Sequence, residues 1–175
     1  MPLSALKHEI EQEAPFASAE EEALLNLVRT SDYLIRAMQH KIRPWGVTST
    51  QYNVLRILRG AQPDGLTCSA IGHRMITAEP DITRLLARLK ALRLIRQQQD
   101  RHDRRVVRTH ISEAGLRLLK EMDPMVASSP QQLLGHMSAN DLAALTRLLE
   151  QARQPCLKAH GAEKNSAPKT AGKPA

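Results

Sequence analysis

The chain has 175 residues, with 25 Lys and Arg against 18 Asp and Glu and a formal charge of +7. That length suits one domain, or a domain with an extension, and is enough for a true core; no apolar run approaches the ~20 residues of a membrane helix. Aromatic residues are 2% of the chain (Phe16, Tyr33, Trp45 and Tyr52), so the core must be aliphatic, which suits helices, and ring stacking on single-stranded nucleic acid is disfavoured relative to duplex DNA.

Residues 1–18 are polar and charged, an arm that either forms a short helix over Leu3–Glu13 or stays flexible. From Glu20 to Ile42 the spacing predicts a long helix with Leu24, Val28, Ile35, Met38 and Ile42 on one face and Leu27 and Leu34 on a second. Two apolar faces allow packing on its own lobe and on a partner chain. Pro44 and Gly46 end it. Thr48 opens a helix through Gln51, Tyr52, Leu55 and Leu58 to Gly60, and Pro63-Asp64-Gly65 makes a turn. Thr67 caps a short helix carrying Ile71 and Met75. A further helix is expected from Ala78 to Leu92, with Thr77 as its cap and Glu79, Pro80 and Asp81 in its first turn. Together the last two make a helix-turn-helix.

On that last helix Ile82, Leu85, Leu86, Leu89 and Leu92 share one face. Pro80, Thr83, Arg84 and Ala87 lie opposite, with Arg88 on the flank. Small residues there allow close approach, and guanidinium groups suit phosphates and guanine edges. Leu94–Gln99 and Val106–Ile111 then pair as strands around an exposed tip, Asp100 to Arg105.

Charge concentrates in this region. Between Arg74 and Arg108 nine Arg and one Lys face four acidic residues, a net +6. Alone, such a helix reads equally well as a solvated amphipathic surface. Followed by a tip with three Arg and two Asp, it reads as a duplex-binding surface, with Arg entering a narrow minor groove and carboxylates orienting the guanidinium groups. Thr83 and Arg84 are then the candidates for base or nearby phosphate contacts and Arg88 for phosphate. Arg101, Arg104 and Arg105 form the tip, with Arg104 in the minor groove and Asp100 and Asp103 in support.

Beyond the hairpin, Ser112 caps a helix containing Leu116, Leu118, Leu119 and Met122, which Pro124 and Pro130 are expected to kink or segment. Ser138-x-x-Asp141 resembles a capping box ahead of a final helix with Leu142, Leu145, Leu148 and Leu149. From Gln154 onward Lys, Ala, Pro, Gly and Ser predict a disordered basic tail.

The run Ile82-Thr83-Arg84-Leu85-Leu86, then Leu89, Leu94-Ile95-Arg96, the Asp100-to-Arg105 tip with its Asp-x-x-Asp-Arg-Arg pattern, and Ile111-Ser112-Glu113-Ala114-Gly115 resembles the MarR family of winged helix-turn-helix regulators. The resemblance spans roughly Glu20 to Arg153. One departure is Arg93, where the family often has Gly, which implies a differently built turn. The resemblance implies a mostly α (α+β) fold with an arm at 1–18, a winged helix-turn-helix DNA-binding lobe at 45–111, a helical dimerisation region at 19–44 and 112–153, and a tail at 154–175. It also implies a homodimeric repressor on a pseudo-palindromic duplex operator, released by a small aromatic or phenolic ligand held between the dimer helices and the lobe. By position Tyr33, Arg36, Met38, His40, Trp45 and Tyr52 are candidates for that site, and each also reads as core packing or a solvated face.

Other chemistry is sparse. No phosphate loop, dinucleotide fingerprint, zinc-protease or nucleophile-elbow motif occurs, so neither enzyme nor cofactor is expected. The seven His are scattered, so no metal site is expected. Cys68 and Cys156 do not make a disulfide framework, and residues 1–7 lack a signal-peptide core, which points to the cytoplasm. Cys68, at a helix start near His73 and Arg74, offers a thiol-based redox-sensing alternative, although a partly buried structural thiol fits better. A winged-helix module docking an acidic protein surface is the other competing class.

Overall fold

The computed structural model describes residues 5–100 and 103–166. The chain falls into two compact units, residues 1–129 and 130–175. The first holds α1 (Ala5–Glu9), α2 (Ala19–Ile42), α3 (Ser49–Arg59), α4 (Cys68–Arg74), α5 (Ile82–Ala91), β1 (Ile95–Gln99), β2 (Val107–Ile111) and most of α6 (Glu113–Leu134); the second holds α7 (Ala139–Ser166). This is a mostly helical winged-helix architecture with one two-stranded antiparallel sheet. No helix among the described residues is long and apolar enough to cross a membrane.

Local chemistry sets the boundaries. α1 ends before the expected Glu13 because the chain turns at Glu11, whose φ is 53°. Ser18 caps α2 by accepting from the Glu21 N–H, and Glu20, Glu21 and Glu22 sit in the positive first turn. A 3-10 turn, Arg43–Trp45, and Gly46 at φ 70° close it. Thr48 and Gln51 form a reciprocal capping box on α3, and Thr67 caps α4.

Helix α5 begins later than expected. Pro80 biases Glu79 away from helical φ/ψ, so residues 78–81 form the connection and Asp81, not Thr77, is the cap, accepting from the Arg84 N–H at 2.9 Å. At the other end Leu92 is outside the helix and 50% exposed, so it does not join Leu85, Leu86 and Leu89 in the core. The Arg93 N–H reaches the Lys90 carbonyl and the Leu94 N–H the Leu89 carbonyl. These two bonds make a Schellman motif, which demands a left-handed residue at Arg93. Arg93 supplies it, with φ 58°. The turn is therefore built as a glycine would build it, not differently.

Ile95 pairs with Ile111, Gln97 with Thr109 and Gln99 with Val107 on one face of the hairpin; Arg96 pairs with His110 and Gln98 with Arg108 on the other. Leu66 exchanges both backbone hydrogen bonds with Thr109, adding a one-residue third bridge beside β2. Ile95, Thr109 and Ile111 are buried against the core, whose fully enclosed members include Val54, Leu55, Ile71, Leu89, Leu119 and Met122. Gly115 in α6 lies against the Leu94 carbonyl, where a Cβ would collide.

α6 runs unbroken through Pro124 and Pro130, correcting the expected segmentation. Ser128 and Ser129 hydroxyls both donate to the Met125 carbonyl, at 3.0 and 2.8 Å, adding donors to the turn just before Pro130, which lacks an N–H. The Ser138 hydroxyl donates to the Asp141 carboxylate at 2.6 Å and accepts from its N–H at 3.1 Å, forming the start of α7. α7 continues past Gln154, through Pro155, to Ser166, where a disordered tail was expected. Ala, Gln, Leu, Lys and Glu in this stretch are good helix formers, and they outweigh its Pro and Gly. Residues 167–175 lie outside the described part.

Candidate nucleic-acid interface

One face of α5 is given to the core by Leu85, Leu86 and Leu89, which forces Thr83, Arg84, Ala87 and Arg88 outward, and all four are exposed. The result is a stripe of two guanidinium groups flanking two small side chains. Its backbone start is fixed by the Asp81 cap and by Asn53 of α3, whose Oδ1 accepts from the Ile76 N–H at 3.1 Å in the α4–α5 connection. Asn53 was not singled out in the sequence, because a half-buried Asn in a helix gives no periodic signal.

The wing projects from the same lobe. The Asp100 N–H donates to the Val106 carbonyl at 2.8 Å and the Val106 N–H to the Asp103 carbonyl at 2.9 Å, closing the tip. Asp103 accepts from the Arg105 N–H at 2.9 Å, an Asx-type turn bond. Asp100 accepts from the Asp103 N–H at 3.3 Å and forms an ion pair with Arg108. Among the described residues it is thus Asp100 that holds a guanidinium, while Asp103 shapes the backbone. Arg108 lies eight residues from Asp100 and was not among the sequence candidates; the strand register brings it back to the tip. Arg104 and Arg105 are exposed. Arg101 lies outside the described residues.

The ligand candidates separate. Met38 and Trp45 pack against the core and Tyr52 is 7% exposed. Burial pushes the Tyr52 phenol above its ordinary value; Arg56 lowers it, Asp123 raises it and Arg59 lowers it. Tyr33, Arg36 and His40 instead lie on the exposed surface of α2, where Tyr33 accepts from Arg29 at 2.8 Å and Arg36 pairs with Asp32 at 2.9 Å. Cys68 is half-buried against the core. Among the described residues no cluster of His, Cys, Asp or Glu could hold a metal ion.

A sequence model of the MarR family matches residues 45–106, from the 3-10 turn after α2 to the wing. The crystal structure of a MarR transcription factor from Planctomyces limnophilus is 36% identical, covers 78% of this chain and 99% of its own, and superposes with a TM-score of 0.60. The chain belongs to the MarR family. It is accordingly a DNA-binding transcriptional regulator with a winged helix-turn-helix, a class whose members are not enzymes. The HTH-type transcriptional regulator MhqR of Bacillus subtilis (strain 168) is 27% identical over 115 residues, 65% of this chain and 77% of that protein. BpsR of Bordetella bronchiseptica, solved to explain how 6-hydroxynicotinic acid regulates its DNA binding, is 23% identical with a TM-score of 0.69, covering 81% of this chain and 99% of that one. In MarR terms, α4 and α5 are the helix-turn-helix and β1–β2 the wing.

Proposed function

We propose that this MarR-family chain is a homodimeric repressor that binds a pseudo-palindromic operator, with α5 in the major groove and the wing tip in the minor groove. The observation that carries this reading is the outward stripe of Thr83, Arg84, Ala87 and Arg88 on a helix whose opposite side is locked in the core. Thr83 and Arg84 read base edges or the nearest phosphates, Arg88 a phosphate, and Arg104, with Arg101 and Arg105, the minor groove. Residues 45–111 act as the DNA-binding lobe; 19–44 and 112–153 act as the dimerising helices. Leu24, Leu27, Val28 and Ile35 of α2 support that division, because a single chain leaves them exposed to water. Two α5 helices would then sit about one helical turn (~34 Å) apart.

Release by a small aromatic or phenolic acid is proposed by analogy with BpsR, with Tyr33, Arg36 and His40 on α2 as the accessible candidates and Met38, Trp45 and Tyr52 behind them. The test is selection of genomic duplex fragments by the purified protein at near-physiological salt with competitor DNA. Enrichment of one inverted-repeat site is the expected result. Uniform weak retention of all fragments overturns it, because the basic surface would then act by charge alone.

A further inference from the structure

We infer that Ile76, in the turn between α4 and α5, is an apolar reading element that packs on the C5-methyl group of a thymine in the major groove. The inference rests on the docking proposed above, in which α5 enters that groove, and adds to it a base contact outside α5.

Ile76 is 84% exposed, more than any other large apolar side chain among the described residues. A single exposed aliphatic residue is ordinary on a protein surface, but this one is held out. Met75, the C-cap of α4, is extended, with φ −69° and ψ 141°. Consecutive side chains on extended backbone point to opposite sides, so Met75 packs against the core and Ile76 faces water. The Met75 N–H donates to the Gly72 carbonyl at 3.3 Å, and the Ile76 N–H to Asn53 Oδ1 at 3.1 Å. Two successive backbone donors are thus tied to α4 and α3. The turn cannot roll Ile76 inward without breaking one of them.

Chemistry narrows the partner. Ile76, Thr77 and Ala78 are all exposed, and none of them carries a charge. An isoleucine side chain has no donor for a phosphate. On the major-groove edge of the base pairs the apolar group is the thymine methyl. Branching at Cβ leaves Ile76 few rotamers, so little side-chain freedom is lost on contact.

Position agrees with this assignment. A recognition helix meets base edges with its N-terminal residues. Ile76 precedes the Asp81 cap and stands at that same end of α5. The thymine it meets therefore lies at the margin of the base pairs met by Thr83 and Arg84.

The test uses the selected operator with each thymine of a half-site replaced in turn by deoxyuridine, which pairs in the same way but lacks the methyl. In the parent protein one position is expected to lose affinity about fourfold per half-site, the worth of one buried methyl-sized group. Ile76→Ala is expected to bind the thymine operator about fourfold more weakly or worse, and to bind thymine and deoxyuridine at that position alike. Its melting curve and salt slope stay those of the parent, because the side chain is exposed and uncharged. Ile76→Val retains part of the discrimination. A loss in Ile76→Ala that is equal on every duplex overturns the inference, because the contact is then to sugar. So does a deoxyuridine penalty that persists undiminished in Ile76→Ala. If Ile76→Ala is silent while Arg84→Ala still relaxes specificity, the turn is excluded and the operator-binding reading stands. If no sequence-selective binding is seen at all, both fall.

Discussion

Arg59 Nη1 donates to both carboxylate oxygens of Asp123, at 3.0 and 2.9 Å, and so ties the end of α3 to the middle of α6. The two side chains are 36% and 46% exposed, so solvent screens the pair. Arg59→Ala and Asp123→Ala are each expected to lower stability, with a coupling of about 0.5–1 kcal/mol in a double-mutant cycle. Urea melts at low and high salt check it: the coupling shrinks as salt rises.

Arg93 occupies a conformation that costs a non-glycine residue about 1 kcal/mol. Arg93→Gly relieves that strain but loosens the unfolded chain, so a net gain of up to about 0.5 kcal/mol is expected. Arg93→Val, branched at Cβ, is expected to lose more than about 1 kcal/mol. Thermal midpoints of the two variants should move in opposite directions.

Arg84 and Arg104 should fail differently. Arg84→Ala is expected to cost about 1–3 kcal/mol on the preferred operator and to flatten the preference at the base pairs it meets. Arg104→Ala is expected to lower the salt slope by about one phosphate equivalent if it rests on the backbone. Titrations on matched and scrambled duplexes over a range of salt separate the two.

Gly115 has no room for a side chain beneath the Leu94 carbonyl and the Ile111 side chain. Gly115→Ala must push α6 off the root of the hairpin, at a cost of about 1–3 kcal/mol. Denaturant melts measure the cost, and DNA affinity should fall with it, because the same contact supports β1.

Tyr52 gives a pH prediction. Burial raises its phenol pKa in the folded chain, so the folded state holds the proton more tightly than the unfolded state. The associated stability is present below the ordinary tyrosine value of about 10. It is lost as pH rises from there through the higher folded value. Tyr52→Phe should therefore blunt the alkaline loss of stability, followed by circular dichroism.

Much of this arrangement was legible in the chain. Leu85, Leu86 and Leu89 announce a buried face by spacing alone, and the two strands of the hairpin were legible to within a residue, each starting one residue later than expected. What escaped was set by competition or by tertiary contact. Pro80 moved the α5 cap from Thr77 to Asp81, and the Schellman turn placed Leu92 outside the helix. Arg108 was overlooked because its partner Asp100 is brought near only by strand pairing, and Asn53 because its partner is a backbone N–H 23 residues away. The helix beyond Gln154 shows a compositional signal for disorder overruled by propensity. The six ligand candidates, chosen by position, divide between core and surface because α2 turns Tyr33, Arg36 and His40 outward and Met38 inward, while Trp45 in the 3-10 turn and Tyr52 on α3 pack against the core.

The single bridge between Leu66 and Thr109 splits the hairpin into two mechanical regimes. Below it, three chain segments are stitched together and the root turns only with the whole lobe. Above it, from Gln98 and Arg108 outward, the two strands pair only with each other, and the Asp100–Arg108 ion pair and the backbone bonds of Asp100, Asp103 and Val106 close them at the tip. In the docking proposed above, a hairpin root stitched to the lobe at three segments would make the wing and α5 share one bearing on the duplex, so that a shift of either would carry the other with it.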